Sequence, residues 1–98
     1  MRKIEKKMVA AIRNGKNFNG NNTQVECQSN GNIYVYLFGN CIYKIVNGTP
    51  KFNLCGWNTS TTRSRLNALG VNVTSKNFTP YYNGKPISAN SGWIAVQQ

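Results

Sequence analysis

Apolar residues recur through the first fifteen positions with a helical period. Ile4, Met8, Ala11 and Ile12 fall at i, i+4, i+7 and i+8, which is one face of a helix. Arg2, Lys3, Lys6, Lys7 and Arg13 fall on the opposite side, and Gly15 after Asn14 supplies a stop. The spacing predicts an amphipathic helix over residues 2–15. A polar stretch, 16–24, follows, with Phe18 as its one large apolar residue. It reads as a loop that Phe18 anchors to the core.

The period then changes to two. Gln24–Gln28 alternates around Val25 and Cys27, and Ser29–Asn32 is a turn signal. Ile33–Phe38 is rich in β-branched and aromatic residues, with Ile33, Val35 and Leu37 on one face and Tyr34, Tyr36 and Phe38 on the other. Gly39-Asn40 marks a second turn or a bulge. Cys41–Val46 continues as a strand, and Asn47-Gly48 is a strong hairpin signal. Lys51–Leu54 is a fourth strand, running into Cys55-Gly56-Trp57. These four strands predict the core of one antiparallel sheet. The Tyr34/Tyr36/Phe38 row has two readings: bases stacked on a sheet face, or ordinary packing and cross-strand pairs.

A short helix is predicted next. Asn58–Thr61 is its entry turn, with Ser60 or Thr61 as N-cap. Leu66 and Leu69 point at the core, Arg63 and Asn67 share a face, and Gly70 ends it. The remainder is strand-like and irregular. Val71 and Val73 alternate, Phe78, Tyr81 and Tyr82 form an aromatic cluster, and Pro80 suits an edge strand or bend. Asn83-Gly84-Lys85 is a turn, and Trp93–Val96 is a last strand that closes the sheet. The predicted class is α+β. An N-terminal amphipathic helix and a short second helix pack on an antiparallel sheet, in the order α-β-β-β-β-α-β-β. The whole chain, 1–98, is one domain, large enough for a modest core.

Charge changes the picture most. Twelve Lys and Arg face two acids, Glu5 and Glu26, for a net charge of +10. Six of the basic residues lie in the first sixteen positions. Such a field attracts polyanions: nucleic acid, or an acidic protein. A membrane surface fits less well, because the apolar face of the first helix lacks Trp, Phe and Leu. No run is long enough to span a bilayer.

The residue types disfavour catalysis. There is no His and no Asp, so the usual general bases are missing, and a Cys nucleophile would lack a His partner. Cys27, Cys41 and Cys55 show no zinc spacing. They read as small core residues in a reducing compartment. No metal, no cofactor and no enzyme activity is expected.

What remains is phosphate chemistry. Lys3, Lys6, Lys7, Arg13 and Lys16 make one candidate patch. Arg63 and Arg65, with the hydroxyls of Thr61, Thr62 and Ser64 at a helix N-terminus, make a second. Arg63, Arg65 or Asn67 would be the residues able to read a base edge. The alternative for the second patch is that the hydroxyls cap the helix and the arginines are solvated.

The helix Lys3–Ile12, the Lys16-Asn17-Phe18 run, Gly20, the Gly39-Asn40 turn and the stretch Cys55–Ala68 together resemble a family of small tailed-bacteriophage proteins. The Gly-Trp…Thr-Thr-x-Ser-Arg-Leu-Asn-Ala run, Gly56 to Ala68, is the most specific part. The resemblance covers most of residues 3–82. It implies a virus-encoded protein acting in the cytoplasm of an infected bacterium, and it carries no catalytic assignment. The leading expectation is a non-catalytic nucleic-acid-binding protein, DNA before RNA, working mainly through phosphate. The competing expectation is a phage interaction protein that binds and inhibits an acidic host factor in defence or transcription. Oligomeric state is left open by the sequence.

Overall fold

The computed structural model describes residues 1–97. Helix α1 runs over Lys3–Asn14, with Gly15 in the left-handed region at its end. The strands that follow are β1 (Phe18–Asn19), β2 (Thr23–Cys27), β3 (Ile33–Leu37), β4 (Asn40–Val46) and β5 (Thr49–Phe52). Helix α2 spans Ser60–Ala68. Then come β6 (Val73–Lys76), β7 (Thr79–Tyr82), β8 (Lys85–Pro86) and β9 (Ile94–Ala95). The class is α+β, as the hydrophobic pattern predicts.

Two antiparallel sheets form. The larger has six strands in the order β1-β2-β3-β4-β5-β9, and the smaller has three, β6-β7-β8. The four predicted strands are β2 to β5, with boundaries moved by one or two residues. The predicted loop at 16–24 contains β1, whose Phe18 pairs with Val25. The predicted closing strand is β9, which pairs with β5 through Lys51↔Ala95 and Phe52↔Ile94.

Alternation decides which face is buried. Val25, Val35, Tyr43 and Phe52 are buried and lie in register across β2 to β5. At Ile42 the period slips. Val35 pairs with Tyr43 but Tyr36 with Cys41, so Ile42 is an extra residue, and Ile42 and Tyr43 are both buried. A bulge of this kind re-aims side chains and bends the strand. From α1 the core takes Met8 and Ala11, and from α2 it takes Leu66. Phe52 meets Tyr82 of the smaller sheet, ring centroids 4.9 Å apart, and this contact joins the two sheets.

Four of the hairpins share one turn chemistry. Asn47-Gly48 and Asn83-Gly84 each join paired strands with positive φ at both residues. These are the two-residue turns whose twist matches a hairpin. Phe38-Gly39 and Asn77-Phe78 are turns of the same kind, with φ of 50°, 80°, 52° and 65° in that order. The predicted outer row of β3 is therefore shorter than expected. Tyr34 and Tyr36 lie half-buried on the sheet, while Phe38 has left it for a turn. Phe78 likewise sits apart from the buried Tyr82 rather than in a cluster with it.

Pro80 also departs from expectation. It occupies β7, the middle strand of its sheet, and is buried. Its carbonyl accepts the Ile87 N–H, so its backbone polar atoms face the side where β8 has already ended. The missing N–H therefore costs nothing between β6 and β7. Pro is tolerated in strands at such places.

Candidate nucleic-acid interface

Helix α1 buries Glu5, Met8 and Ala11. Its polar face carries Lys3, Lys6, Lys7 and Arg13, all exposed, and Lys16 is exposed just beyond the helix. Positions 3, 6, 7, 10 and 13 fall on one stripe of a helix. At about 1.5 Å per residue, Lys3 to Arg13 covers roughly 15 Å, which is several phosphates at about 3.4 Å per strand. Among the described residues the one ion pair is Arg65–Glu5, so these five cations have no acidic partner.

Lys3 and Lys7 border a hollow of about 350 Å³ between α1 and the β1–β2 turn, lined also by Ile4, Phe18, Asn19, Gly20 and Asn21. Gly20 is required there by close approach. A Cβ at this position would lie 2.8 Å from the Phe18 ring and 3.1 Å from Ile4. The hollow thus has an apolar floor, two ammonium groups on one wall and asparagines on the other.

The second predicted patch is reorganised. The N-cap of α2 is Thr59, whose hydroxyl accepts the Thr62 N–H at 3.1 Å. Starting there, the helix turns Thr62, Arg65 and Leu66 inward. Thr62 is buried against the Thr59 hydroxyl. Arg65 is a correction: it is an interior residue, not a surface cation. Its Nη1 donates to Glu5 Oε2 at 2.8 Å, its Nε to Thr23 Oγ1 at 2.9 Å, and its Nη2 to Asn22 Oδ1 at 3.2 Å. Ser64 donates its hydroxyl to the same Glu5 oxygen, and the Arg2 N–H donates to Oε1. Burial pulls the Glu5 carboxyl up, but the bonds from Ser64, the Arg2 amide and Arg65 outweigh it. They leave it below the ordinary carboxylate value.

Arg63 and Asn67 are also engaged. Arg63 is half-buried, and its Nη1 donates to both the carbonyl and the side-chain oxygen of Asn58. Asn67 brackets Val73, donating to its carbonyl and accepting its N–H, both at 2.8 Å. Thr61 and Thr62 line one cavity and Ser64 lines another, but Thr62 and Ser64 are already hydrogen-bonded within the fold, to Thr59 and Glu5. The two predicted patches therefore do not merge. The α1 row remains free, and most of the α2 set holds the fold together.

Sequence reasoning named Phe38 in a possible base-stacking row and Phe78 in an aromatic cluster, but missed that these two rings and Trp57 stand exposed around the start of α2. Phe38 is 71% exposed, Trp57 59% and Phe78 99%. Phe38 and Trp57 line a groove of about 430 Å³ floored by Leu37, Ile42 and Leu54 and rimmed by Asn40, Thr59 and Thr61. Phe78 stands nearby, its carbonyl accepting from Asn58 Nδ2 at 3.3 Å. The signal was present in the turns: a bulky residue beside Gly39, and another beside Asn77, where Asn-Gly is the favoured pair.

The thiols play a structural part. Cys55 Sγ donates to the Cys41 carbonyl at 3.2 Å, and Cys27 Sγ to the Lys16 carbonyl at 3.4 Å. Burial pushes all three thiols up, which weakens them as nucleophiles. Among the described residues no cluster of His, Cys, Asp or Glu could hold a metal. No described helix is long and apolar enough to cross a membrane.

Neither a curated protein nor a solved structure matches this chain. The sequence model of the Kyanoviridae Gp96 protein family matches residues 1–96, nearly the full length and including α1, the Gly56–Ala68 run and both sheets. The chain belongs to the Kyanoviridae Gp96 protein family, a family of tailed-phage proteins.

Proposed function

We propose that this phage protein binds nucleic acid, DNA before RNA, through its phosphates and without catalysis, in the cytoplasm of the infected bacterium. The observation that carries the reading is the stripe Lys3, Lys6, Lys7 and Arg13 on α1, exposed and with no acidic partner among the described residues, on a chain of net charge +10. Lys16 extends it. The hollow beside Lys3 and Lys7 adds amide groups at the same place, and ammonium and amide groups are ordinary phosphate contacts. Of the two carboxylates, Glu5 is committed to Arg65, which leaves Glu26 alone for any acid–base work.

Fluorescence anisotropy with labelled DNA over a salt series tests the reading. If about five or six phosphates are neutralised on duplex DNA, log affinity falls against log salt with a slope near −5. Absence of binding at low salt rejects the proposal. The second reading is an interaction protein that inhibits an acidic host factor. Exposed aromatics favour it, because Trp and other large side chains are common interface anchors. A stoichiometric protein captured from nuclease-treated host lysate, by a chain that binds no DNA, would replace the first reading with the second.

A further inference from the structure

Phe38 and Phe78 occupy backbone conformations that cost stability. Left-handed φ costs a non-glycine residue roughly 1–2 kcal/mol, and bulky residues are the exceptional ones there. The chain shows the cheaper solution twice, at Asn47-Gly48 and Asn83-Gly84. At two other turns of the same geometry it places a phenylalanine instead, and both rings stand in solvent. Neither ring is held there by burial. Strain that packing does not explain is found at functional sites.

Phe38 and Trp57 both line the groove. A cavity of about 430 Å³ lies within the range of ligand sites, about 300–1,000 Å³. The floor is aliphatic, and the rim offers the Asn40 amide and the Thr59 and Thr61 hydroxyls. A flat ring with polar edges matches this arrangement: the faces meet Phe38 and Trp57, and the edge meets the rim.

One short segment, Asn21-Asn22, links the groove to the cationic side of the molecule. Asn21 lines the Lys3–Lys7 hollow. Asn22, the next residue, accepts the Phe38 N–H on its carbonyl at 2.9 Å. This segment ties the wall of the hollow to the turn that presents Phe38. The charge of the chain favours a polyanion as the molecule that brings such a ring.

We infer that the groove between Phe38 and Trp57 takes an unpaired base of a single-stranded nucleic acid, stacked on the two rings, while α1 holds the adjoining phosphates. The inference rests on the nucleic-acid reading above and adds strand type to it. A base inside a duplex presents no free face to such a groove.

Three probes of equal length separate the contributions: oligothymidylate, an abasic strand with the same phosphates, and a duplex. Stacking by one base predicts that oligothymidylate binds roughly 5- to 150-fold tighter than the abasic strand. In a Trp93→Phe background, oligothymidylate quenches Trp57 fluorescence and the abasic strand does not. Phe38→Asn restores an Asn-Gly turn. It is expected to raise the urea midpoint, remove most of the oligothymidylate advantage, and leave abasic and duplex affinities unchanged. A folding defect cannot mimic that pattern. Equal affinity for oligothymidylate and abasic strands overturns the inference and leaves phosphate binding standing. Binding to none of the three at low salt overturns both. Loss of a captured host protein in Phe38→Asn, with all three nucleic-acid affinities unchanged, makes the groove a protein interface and also overturns it.

Discussion

Arg65 on α2 and Glu5 on α1 form an ion pair at 2.8 Å with side chains 3% and 2% exposed. They are 60 residues apart. Every neighbouring polar group is satisfied: Thr23, Asn22, Ser64 and the Arg2 amide complete the set. The pair fastens both helices and the start of β2 at one point. It contributes little if anything over a well-packed apolar replacement, but breaking it is expensive, because the remaining charge is stranded out of water.

Glu5→Gln is therefore expected to destabilise the domain by about 3–5 kcal/mol. Chemical denaturation with urea checks this. The double replacement Glu5→Leu with Arg65→Met should recover most of the loss, since it removes both charges together.

The same pair sets a pH dependence. Glu5 titrates lower in the folded state than its ordinary value of about 4.3. Its contribution is fully present above that value, and it is lost as pH falls through the lower folded value. Unfolding midpoints measured from pH 7 to pH 2 should fall at the acid end, and Glu5→Gln should flatten that fall.

Both halves of the pair are legible in the helical patterns once polar residues are placed on the same wheel as apolar ones. Glu5 lies on the apolar stripe with Met8 and Ile12, at i+3 and i+7. Arg65 lies on the stripe of Thr62, Leu66 and Leu69. A charged residue on the inward face of each helix, opposite in sign, is a candidate buried pair. The β2–β5 meander was legible because alternation and Asn-Gly turns agree at that point. Phe38 was misplaced because alternation alone extends a strand until something breaks it. The break was a positive φ, which no side-chain period encodes. The exposure of Trp57 depends on how the Cys55-Gly56 turn presents it, with φ of 54° and 79°, and this too lies outside the hydrophobic pattern.

Phe78→Gly should stabilise the fold by about 1–2 kcal/mol, by relieving left-handed φ at a position where the ring makes no packing contribution. Thermal or urea unfolding reads the change. A loss of stability would mean that the ring is packed after all.

Gly20→Ala should cost about 1–3 kcal/mol, because its Cβ has no room against Phe18 and Ile4. If the loop shifts to relieve the clash, the Lys3–Lys7 hollow changes shape. DNA affinity at fixed salt should then fall together with stability.

Replacing Lys3, Lys6, Lys7 and Arg13 with Gln removes charge from surface positions and should leave stability within about 0.5 kcal/mol per site. The salt slope of DNA binding should become shallower by about 0.9 for each phosphate no longer neutralised. An unchanged slope would place the phosphate-binding groups elsewhere on the molecule.

Every strand pairing in both sheets except one joins neighbours along the chain; the exception is β5 with β9. Hairpins close locally and quickly, whereas a distant pairing must first pay for a long loop. During synthesis the meander can assemble while β9 is still inside the ribosome, leaving the β5 edge open. Such an edge is a template for other strands. Pro50, at the start of β5, removes one donor from that strand. A chain arrested before Ile94 is expected to hold protected amides from β2 to β4 and to self-associate through β5, which hydrogen exchange and sedimentation would register. β9 thus acts as a molecular stopper, and the time between making β5 and making β9 is an interval in which the β5 edge stays open to other strands.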